Sequence, residues 1–469
     1  MGWTREEILV ATGGKVVRSG KESVYGDVVT DSQGARRRSV FVALEGRRVD
    51  GHQFLDDALR HGASCLVVHR RAGDRRLKKK DMTVIKVADT LKALGDLAHY
   101  RRQRVAPKVL AITGSNGKTT TKEMVASIFQ FATIQGTRLR GKILKTEGNY
   151  NNLVGLPLTL LRLTGREKVA VVELGTSQPG EIRQLTEIAE PDIGIITSVA
   201  PAHLTGLNTL AGVAREKGEL FRRMHPRGVA IVNLDDPWTR HLGKGFKGRK
   251  ITYGKSGEVR GERFRALGER GMEFTLRAGG GRRRVRLRLP GVHNLSNALG
   301  AAAMAYGLGA DLEAMSKGLE AVRPMPMRMA IERVKGVGII NDAYNANPAS
   351  MDAALRALTG VECKGERVAV LGDMLELGRE AGKRHYELGQ AVARCRVDRL
   401  YLLGQFAAQV KEGALKEGMD DERVRIGKNY RDLARMIRRK TKRGDWLLFK
   451  GSRGIGMEKV LAAFRVLGD

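Results

Sequence analysis

The glycine-rich segment 114–120 is the part of this sequence whose residue types and spacing most clearly predict chemistry. It follows the apolar run 109–113 and precedes apolar residues at helical spacing, so we expect a strand, a loop and a helix in succession. Amide groups at the start of a helix bind anions, Lys118 supplies a positive charge for terminal phosphates, and the Thr119 hydroxyl can bind Mg²⁺. The segment therefore predicts a nucleoside triphosphate site, with Gly114, Ser115, Asn116, Gly117, Lys118, Thr119 and Thr120 as its members.

The loop departs from the usual phosphate-binding pattern at one position. The full pattern G-x-x-x-x-G-K-[ST] would place a glycine at position 112, where this sequence has Ile112. A glycine turn without special function is the alternative. The strand and the helix that flank the loop favour phosphate binding, because the motif requires that context.

Four residues further along are candidates because of the segments in which they occur. Glu173 ends one apolar run, His203 follows the next, Lys217 lies in a polar helical segment, and Asn297 lies in segment 291–297. All are expected near the carboxyl ends of strands, where α/β sheets bind ligands. Taken alone, a histidine after a strand is more often structural and a lysine in a polar helix is usually solvated.

The order and context of these residues resemble the Mur ligase family, whose phosphate loop has the pattern G-x-x-G-K-[ST]-[ST] seen at 114–120. The resemblance implies an ATP-dependent enzyme in which Thr119 and Glu173 hold one Mg²⁺ ion. It also implies that His203 and Lys217 serve a second Mg²⁺ ion, the lysine as a carbamate formed with CO₂. A free ammonium cannot ligate a cation, whereas the hard anionic oxygens of a carbamate can. The catalytic residues implied in this way are Lys118, Glu173, His203 and Lys217.

The segment 341–351 narrows the resemblance within the family. It resembles the signature of members that add D-alanyl-D-alanine, and the D-N-P-R tetrapeptide of relatives that add diaminopimelate or lysine is absent from the sequence. Further matches are 371–378, followed by His385, and 450–453. The resemblance adds Asn297, Arg328 and Asp342 as ATP-binding residues, and Tyr344, Asn345 and Asn347 as substrate-binding residues.

Two other segments resemble substrate-binding parts of the family. The segment 147–157 is similar to the loop that binds substrate and γ-phosphate, although an ordinary Asn/Gly turn before a helix has the same composition. The segment 30–32 looks like the part that holds the UDP end of the substrate. The substrate-binding candidates here are Asn149, Asn151, Asn152, Asp31 and Ser32.

Two departures from the family pattern stand beside candidate residues. Gln33 follows Ser32 where the family has an arginine, which removes a charged donor from nucleotide-sugar binding. Met327 precedes Arg328 where a glycine is common. The Gln33 departure leaves the expected ATP chemistry untouched.

The elements that must position these residues are expected to form a three-domain α/β protein. Residues 1–106 are expected to be a small α/β domain for the UDP-linked precursor. Residues 107–323 repeat strand, glycine turn and helix, and their strands are too apolar to alternate, which is typical of a parallel sheet covered on both faces. Residues 324–469 are expected to form a Rossmann-like domain that closes over ATP and binds the incoming dipeptide.

Two local features complete the expected organisation. Alternating apolar residues within 271–290 predict an antiparallel β hairpin attached to the central sheet. The basic stretch 100–104 before Pro107 is expected to be a linker, and Pro324 and Pro326 mark the second boundary.

Composition limits the partners and the compartment. The 469 residues include 84 Lys+Arg and 51 Asp+Glu, a formal net charge of +33. The basic clusters 36–38, 75–80 and 282–284 read as solvated surface, and aromatic residues at 5% are sparse for a single-strand nucleic-acid binder. Three scattered cysteines suit a reducing compartment, and no apolar run approaches the roughly 20 residues of a membrane span.

The resemblance therefore implies one reaction in particular. A cytoplasmic monomer would use ATP and two Mg²⁺ ions to join D-alanyl-D-alanine to UDP-N-acetylmuramoyl-tripeptide through an acyl phosphate, giving a peptidoglycan precursor. No nucleic-acid partner and no membrane span are expected. The alternatives are another Mur or folylpolyglutamate-type ligase, and a basic P-loop ATPase that binds nucleic acid.

Overall fold

A computed structural model describes residues 2–46, 49–69 and 81–466. Three α/β regions follow one another along the chain, each built around its own sheet. The basic clusters 36–38 and 282–284 are exposed, as expected, and the cluster 75–80 lies outside the described residues.

The first region has a five-stranded sheet in the order β2-β7-β6-β5-β4. Strand β2 runs antiparallel to β7, and the other neighbouring pairs are parallel. Its elements are β1 (Trp3–Thr4), α1 (Arg5–Thr12), β2 (Lys15–Arg18), β3 (Val24–Tyr25), β4 (Val28–Val29), β5 (Val40–Val42), α2 (Leu55–Arg60), β6 (Cys65–His69), β7 (Thr83–Val87) and α3 (Thr90–Val105).

The basic stretch 100–104 is helical, so the linker prediction is wrong. These residues form the last turns of α3, which ends at Val105. Arg101 is buried, with its guanidinium 4.5 Å from the centre of the Trp3 ring, and it donates to the carbonyl of Leu163 at 3.1 Å. Long arginine stems can cover apolar surface while their heads find acceptors, so a basic composition does not by itself exclude a packed helix.

The central region has a six-stranded sheet in the order β11-β12-β8-β13-β14-β15, and every neighbouring pair is parallel. Its elements are β8 (Lys108–Thr113), α4 (Lys118–Phe129), β9 (Thr133–Ile134), β10 (Thr137–Arg138), β11 (Ile143–Lys145), α5 (Gly155–Leu161), β12 (Val169–Glu173), α6 (Glu181–Ala189), β13 (Ile193–Ile196), α7 (Leu204–Leu207), α8 (Leu210–Arg223), β14 (Val229–Asn233), α9 (Pro237–Lys244), β15 (Arg249–Tyr253), β16 (Arg260–Ala266), β17 (Met272–Ala278), β18 (Gly281–Leu287), α10 (Val292–Leu308) and α11 (Leu312–Ala321).

Strand β8 shows why this sheet is continuously apolar. Val109 and Ala111 pack into one buried cluster, whereas Leu110 and Ile112 pack into another on the opposite face. Both faces of the strand are covered, so alternation with polar residues is absent. The prediction of a doubly covered parallel sheet is confirmed.

The hairpin expected within 271–290 forms as β17 and β18, and a third strand extends it. Strand β16 pairs antiparallel with β17, which gives a three-stranded sheet. The sequence of β16, Arg-Gly-Glu-Arg-Phe-Arg-Ala, has no apolar alternation because this strand is largely exposed at the sheet edge. Its pairing could not be read from periodicity.

The C-terminal region has a six-stranded sheet in the order β19-β20-β24-β21-β22-β23. Strand β19 is antiparallel to β20, and the remaining pairs are parallel. Its elements are β19 (Ala330–Val334), β20 (Val337–Asp342), α12 (Pro348–Thr359), β21 (Arg367–Gly372), α13 (Ala381–Arg394), β22 (Arg399–Leu403), α14 (Ala407–Lys416), β23 (Val424–Ile426), α15 (Tyr430–Lys440), β24 (Trp446–Lys450) and α16 (Met457–Val466).

Over residues 2–46, 49–69 and 81–466, the helices are too short or too polar to span a membrane.

Candidate active site

A cavity of about 770 Å³ lies between the central and the C-terminal sheets. The carboxyl ends of both sheets open onto it: Glu173 ends β12, and Asp342 and Lys450 end β20 and β24. This is the edge at which α/β sheets bind ligands. The predicted site residues that line the cavity are Ser115, Asn116, Gly117, Lys118, Thr119, Thr120, Asn149, Asn151, Asn152, Glu173, His203, Asn297, Arg328, Asp342, Tyr344, Asn345 and Asn347.

The glycines of the phosphate loop allow close packing that a side chain would prevent. Gly114 has a φ of +145°, and an added Cβ would lie 1.9 Å from the Oγ1 of Thr197, so this residue forms the floor of the loop and does not line the cavity. Gly117 has a φ of +81°, and its added Cβ would lie 2.2 Å from the Oδ1 of Asn297. The loop can therefore be built only with glycine at these two places.

The loop presents donors to the cavity. Gly117 caps α4 without a side-chain hydrogen bond, so the first amide groups of the helix are available to an anion. The Nζ of Lys118 donates to the carbonyl of Gly114 at 2.6 Å, which folds the lysine back over the loop. Burial, opposed by the charge of Glu173 and assisted by that of Arg328, lowers the pKa of Lys118.

Glu173 combines burial with an unused oxygen. Its Oε2 accepts from the hydroxyl of Thr119 at 3.2 Å, which brings together two residues predicted to share a Mg²⁺ ion. Its Oε1 is buried and makes no hydrogen bond in the structure. The Nζ of Lys122 lies 3.5 Å from that Oε1 without hydrogen-bond geometry. A buried carboxylate oxygen without a donor is suited to a cation.

Lys217 is buried on α8 and does not line the cavity. The alternative of a solvated surface lysine is therefore wrong. Burial, together with the nearby charge of Lys118, lowers the pKa of Lys217 well below its ordinary value. The adjacent carboxylate of Glu216 is committed to the backbone, because it accepts from the N–H groups of Ile182 at 2.7 Å and Gly180 at 2.8 Å.

His203 precedes the short helix α7 and lines the cavity. Its Nδ1 lies 2.5 Å from the Oε2 of Glu376, a residue of the C-terminal region. Within the described ranges, no group of three or more His, Cys, Asp or Glu side chains is placed to hold a metal ion. Any Mg²⁺ ion bound here would therefore also need ligands of other kinds, such as hydroxyl, phosphate or carbamate oxygens.

Arg328 is held in the cavity wall by an aromatic ring. Its guanidinium lies 3.8 Å from the centre of the Tyr344 ring, a distance typical of a cation–π contact. Met327 and Met329 on either side have left-handed φ values of +57° and +54°. The glycine common before this arginine in the family is thus explained, because position 327 has a conformation that glycine adopts without strain.

The buried Lys450 pairs with the partly buried Asp342 at the ends of neighbouring strands. Their Cα atoms are in register between β20 and β24, and the Nζ of Lys450 donates to the Oδ2 of Asp342 at 2.6 Å and to the carbonyl of Asn345 at 2.9 Å. The Oδ1 of Asp342 accepts from the N–H of Met329 at 3.1 Å. Asp342 is thereby fixed in position at the cavity.

The asparagine-rich segment is partly structural. The Oδ1 of Asn152 accepts from the N–H groups of Val154 at 3.2 Å and Gly155 at 2.8 Å, so it caps the start of α5. The carbonyl of Asn151 accepts from the N–H of Gly175, which ties this loop to the segment after Glu173. Asn149 lines the cavity beside them.

Asp31 and Ser32 lie in the first region and do not line the cavity. The Oδ1 of Asp31 accepts from the N–H of Gln33 at 3.1 Å and so caps a short 3₁₀ turn. The structure does not bring these two residues together with the phosphate loop.

Sequence analysis missed three residues that shape the site: Lys122, Glu216 and Glu376. A signal for Lys122 was present, because it lies three and four residues after Thr119 and Lys118 and so shares their side of the helix. Glu376 falls within the matched segment 371–378, but no local pattern indicates that its partner is His203.

Three models of the same family match the chain. They are described as the Mur ligase family catalytic domain over residues 25–102, the Mur ligase middle domain over residues 112–305, and the Mur ligase glutamate ligase domain over residues 327–453. Together they cover most of the chain.

Relatives and solved structures align over nearly the full length. The chain is 36% identical over 455 residues to UDP-N-acetylmuramoyl-tripeptide--D-alanyl-D-alanine ligase from Escherichia coli (strain K12), and 94% of each chain is covered. A crystal structure of MurF from Acinetobacter baumannii has a TM-score of 0.90 at 33% identity, with 99% of each chain covered. MurF ligase from Thermotoga maritima in complex with ADP has a TM-score of 0.81 at 28% identity, with 94% of this chain and 97% of that chain covered. The phosphate loop, the cavity between two sheets and these alignments lead to one conclusion: the chain belongs to the Mur ligase family.

Proposed function

We propose that this protein ligates D-alanyl-D-alanine to UDP-N-acetylmuramoyl-tripeptide in an ATP-dependent reaction that gives a UDP-linked pentapeptide precursor of peptidoglycan. The observation that carries the proposal is that one cavity contains both the phosphate loop at 114–120 and residues of the segment 341–351. The second segment resembles the signature of D-alanyl-D-alanine-adding members. The likeness in sequence and fold to enzymes named for this activity supports it.

The reaction proceeds in two transfers. The terminal carboxylate of the tripeptide attacks the γ-phosphorus of ATP, which gives an acyl phosphate and ADP. The free amine of D-alanyl-D-alanine then attacks the acyl carbon, the carbon–oxygen bond to phosphate breaks, the amine proton leaves and an amide forms. No side-chain nucleophile is required, so the protein contributes mainly by positioning and by electrostatic stabilisation.

Two cations of the chain counter the repulsion between a carboxylate and a triphosphate. Lys118 lies in the phosphate loop and Arg328 lies across the cavity against Tyr344. Placed on either side of the transferred group, they lower the energy of the charge that develops there. The central and C-terminal regions form the walls of this space, and their closer approach would keep water from the acyl phosphate.

The residues at the cavity fit a divalent cation. The free Oε1 of Glu173 and the hydroxyl of Thr119 would hold one Mg²⁺ ion. His203 at the cavity and the buried Lys217, which does not line it, would serve a second. Bound Mg²⁺ supplies charge neutralisation at the phosphate oxygens. The residues of the protein bind and orient the substrates.

Carbamylation of Lys217 is part of the proposal. Burial beside Lys118 disfavours a second positive charge, and Glu216 is occupied by backbone donors. The uncharged amine adds to CO₂ with release of one proton, and the product is an anion that offsets the charge of Lys118. Solution ¹³C spectra of protein equilibrated with ¹³C-bicarbonate test this, because a carbamate resonance absent from a Lys217→Ala variant is expected.

The three α/β regions suggest how the substrates are shared among the parts of the chain. Each sheet falls within one of the segments 1–106, 107–323 and 324–469, which we propose as domains. The first would hold the UDP end of the precursor through Asp31 and Ser32, which lie outside the cavity that contains the phosphate loop. We further propose a monomer, since one chain supplies the whole cavity, and a cytoplasmic location, where ATP is available.

Substrate omission tests the proposed function. Phosphate release is measured with ATP, the UDP-tripeptide and D-alanyl-D-alanine, then with each omitted in turn, and the product mass is determined. Sustained turnover is expected only with all three. Phosphate release at the same rate without D-alanyl-D-alanine would refute the assignment. Turnover with a single amino acid in place of the dipeptide would indicate a related ligase, and stimulation of the ATPase by nucleic acid would favour a P-loop ATPase.

A further inference from the structure

We propose that Glu376 is a positioning residue for His203: the C-terminal region supplies a carboxylate that orients this imidazole toward a bound cation. The inference rests on the proposed function, in which His203 serves a Mg²⁺ ion. Glu376 does not itself line the cavity. It therefore acts through His203 and does not touch the reacting groups.

The two residues meet through side chain and backbone. The Nδ1 of His203 lies 2.5 Å from the Oε2 of Glu376, and the N–H of Thr205 donates to the carbonyl of Glu376 at 3.1 Å. Both backbones are left-handed, with φ values of +55° at His203 and +63° at Glu376. Residues with a Cβ keep this conformation only where surrounding contacts hold it. The contact thus joins two constrained segments.

The segment that carries Glu376 is anchored within the C-terminal region. The N–H of Met374 donates to the Nε2 of His385 at 2.9 Å, and the N–H of Leu375 donates to the Oγ of Ser452 at 2.8 Å. The Nδ1 of His385 lies 2.7 Å from the carbonyl of Ala381, so this imidazole donates there and accepts from Met374. These bonds anchor the two residues before Glu376 to the rest of the C-terminal region.

The pairing determines what His203 can do. An ionised carboxylate only accepts hydrogen bonds, so the Nδ1 of His203 carries the shared proton. With that proton on Nδ1, Nε2 is the ring atom that can offer a lone pair to a cation. Carboxylate–histidine pairs of this kind orient metal-binding imidazoles and raise their basicity.

The location of the pair couples cation binding to the arrangement of the two regions. His203 follows β13 of the central sheet and Glu376 follows β21 of the C-terminal sheet, 173 residues apart in sequence. Separation of the two regions would remove the acceptor from Nδ1 and leave the imidazole free to rotate. The cation site at His203 is therefore complete only when the cavity is enclosed, which is also the state that protects an acyl phosphate from water.

Mn²⁺ binding tests the inference without relying on turnover. Affinity is measured by electron paramagnetic resonance on full-length protein with ADP, for wild type, Glu376→Ala and Glu376→Gln. We expect Glu376→Ala to weaken binding by roughly 10- to 100-fold, the usual effect of losing the partner of a metal-binding histidine. Glu376→Gln keeps an acceptor but lacks the charge, so we expect an intermediate loss. The matched control is Glu380→Gln, which breaks a surface pair with Arg384 and does not touch His203.

Repeating the Glu376 substitutions in a His203→Asn variant distinguishes orientation of His203 from simple docking of the two regions. On a His203→Asn background, Glu376→Ala should cause no further loss of Mn²⁺ affinity. If Glu376 only docked the regions, Glu376→Gln would bind Mn²⁺ like wild type and Glu376→Ala would weaken binding on both backgrounds. Circular dichroism and small-angle scattering check the folding and shape of each variant. If Glu376→Ala does not fold, the Mn²⁺ affinity of Glu376→Gln decides the test.

The outcomes distinguish this inference from the proposed function. Because the assay contains ADP and no peptide, a weakened Mn²⁺ affinity in the Glu376 variants would support the inference even if D-alanyl-D-alanine were not the acceptor. Wild-type affinity in both variants, or no Mn²⁺ binding by the wild-type protein with ADP, would overturn it.

Discussion

The side-chain amides of Asn116 and Asn347 face each other across the cavity and donate to each other's oxygens, at 3.3 Å from Asn116 and 2.8 Å from Asn347. Asn116 belongs to the phosphate loop, and Asn347 caps α12 of the C-terminal region by accepting from the N–H of Ser350. A nucleotide bound at the loop would therefore lie beside a direct bridge between the two regions.

We expect Asn116→Ala to lower kcat/KM by roughly 5- to 150-fold, because two hydrogen bonds are lost and each contributes roughly 0.5–1.5 kcal/mol. Steady-state kinetics measure the effect. The companion variant Asn347→Ala also loses the cap of α12, so its free energy of unfolding should fall by about 1 kcal/mol. Wild-type kinetics in Asn116→Ala would show that the bridge has no part in assembling the site.

Lys122 should be one of the most important polar residues for stability. Its side chain is 2% exposed, and its Nζ lies 2.6 Å from the carbonyl of Thr146 and 3.0 Å from the Oε1 of Glu123. We expect Lys122→Met to lower the free energy of unfolding by roughly 3–5 kcal/mol, because it leaves the buried carboxylate of Glu173 without the cation beside it, whereas Glu123 keeps Lys145. Urea unfolding gives the value.

Lys145 provides the control for Lys122. It pairs with the same Glu123 from a side chain that is 41% exposed. We expect Lys145→Met to change the free energy of unfolding by about 0–1 kcal/mol. Equal effects of the two substitutions would contradict the role given to burial.

Cys65 should be unreactive in the folded protein. Burial raises the pKa of its thiol to about 12, so at pH 8 about one thiol in ten thousand is ionised, and only the thiolate attacks. Labelling with a disulfide reagent, followed by mass spectrometry, should modify the half-buried Cys363 first. Modification of Cys65 at the rate seen in urea would be inconsistent with this burial. Because the pKa is raised on folding, the contribution of this thiol to stability is complete below the unfolded value and declines as pH rises toward 12.

Met327 lies in a conformation that favours glycine. Replacing it with glycine should raise the free energy of unfolding by about 1 kcal/mol, since a left-handed residue with a Cβ costs roughly 1–2 kcal/mol. Thermal unfolding measures the change. Met329 is the control, because it shares the left-handed φ but is buried. At Met329 the loss of packing should outweigh the relief of backbone strain, and Met329→Gly should destabilise the protein by about 2 kcal/mol or more. A destabilised Met327→Gly variant would contradict the strain argument.

The sequence by itself determined the family and the reaction class, and most of the site residues that it predicts line the cavity. Glycines at 114 and 117 and a lysine before a helix have local physical reasons, and those reasons can be read in order along the chain. The apolar runs of the central sheet were also readable, because a strand covered on both faces needs no polar residues. The linker expected at 100–104 was wrong because Arg101 packs on Trp3, a contact between residues far apart in sequence.

Only the tertiary structure decided which distant groups became partners. It buried Lys217 and Lys122 beside the phosphate loop, added β16 to the expected hairpin, and brought Glu376 to His203 and Asn347 to Asn116. Local patterns reflect periodicity and turn conformation, which depend on a few neighbouring residues. Pairs across two domains depend instead on how whole sheets pack, and that information is spread over the entire chain.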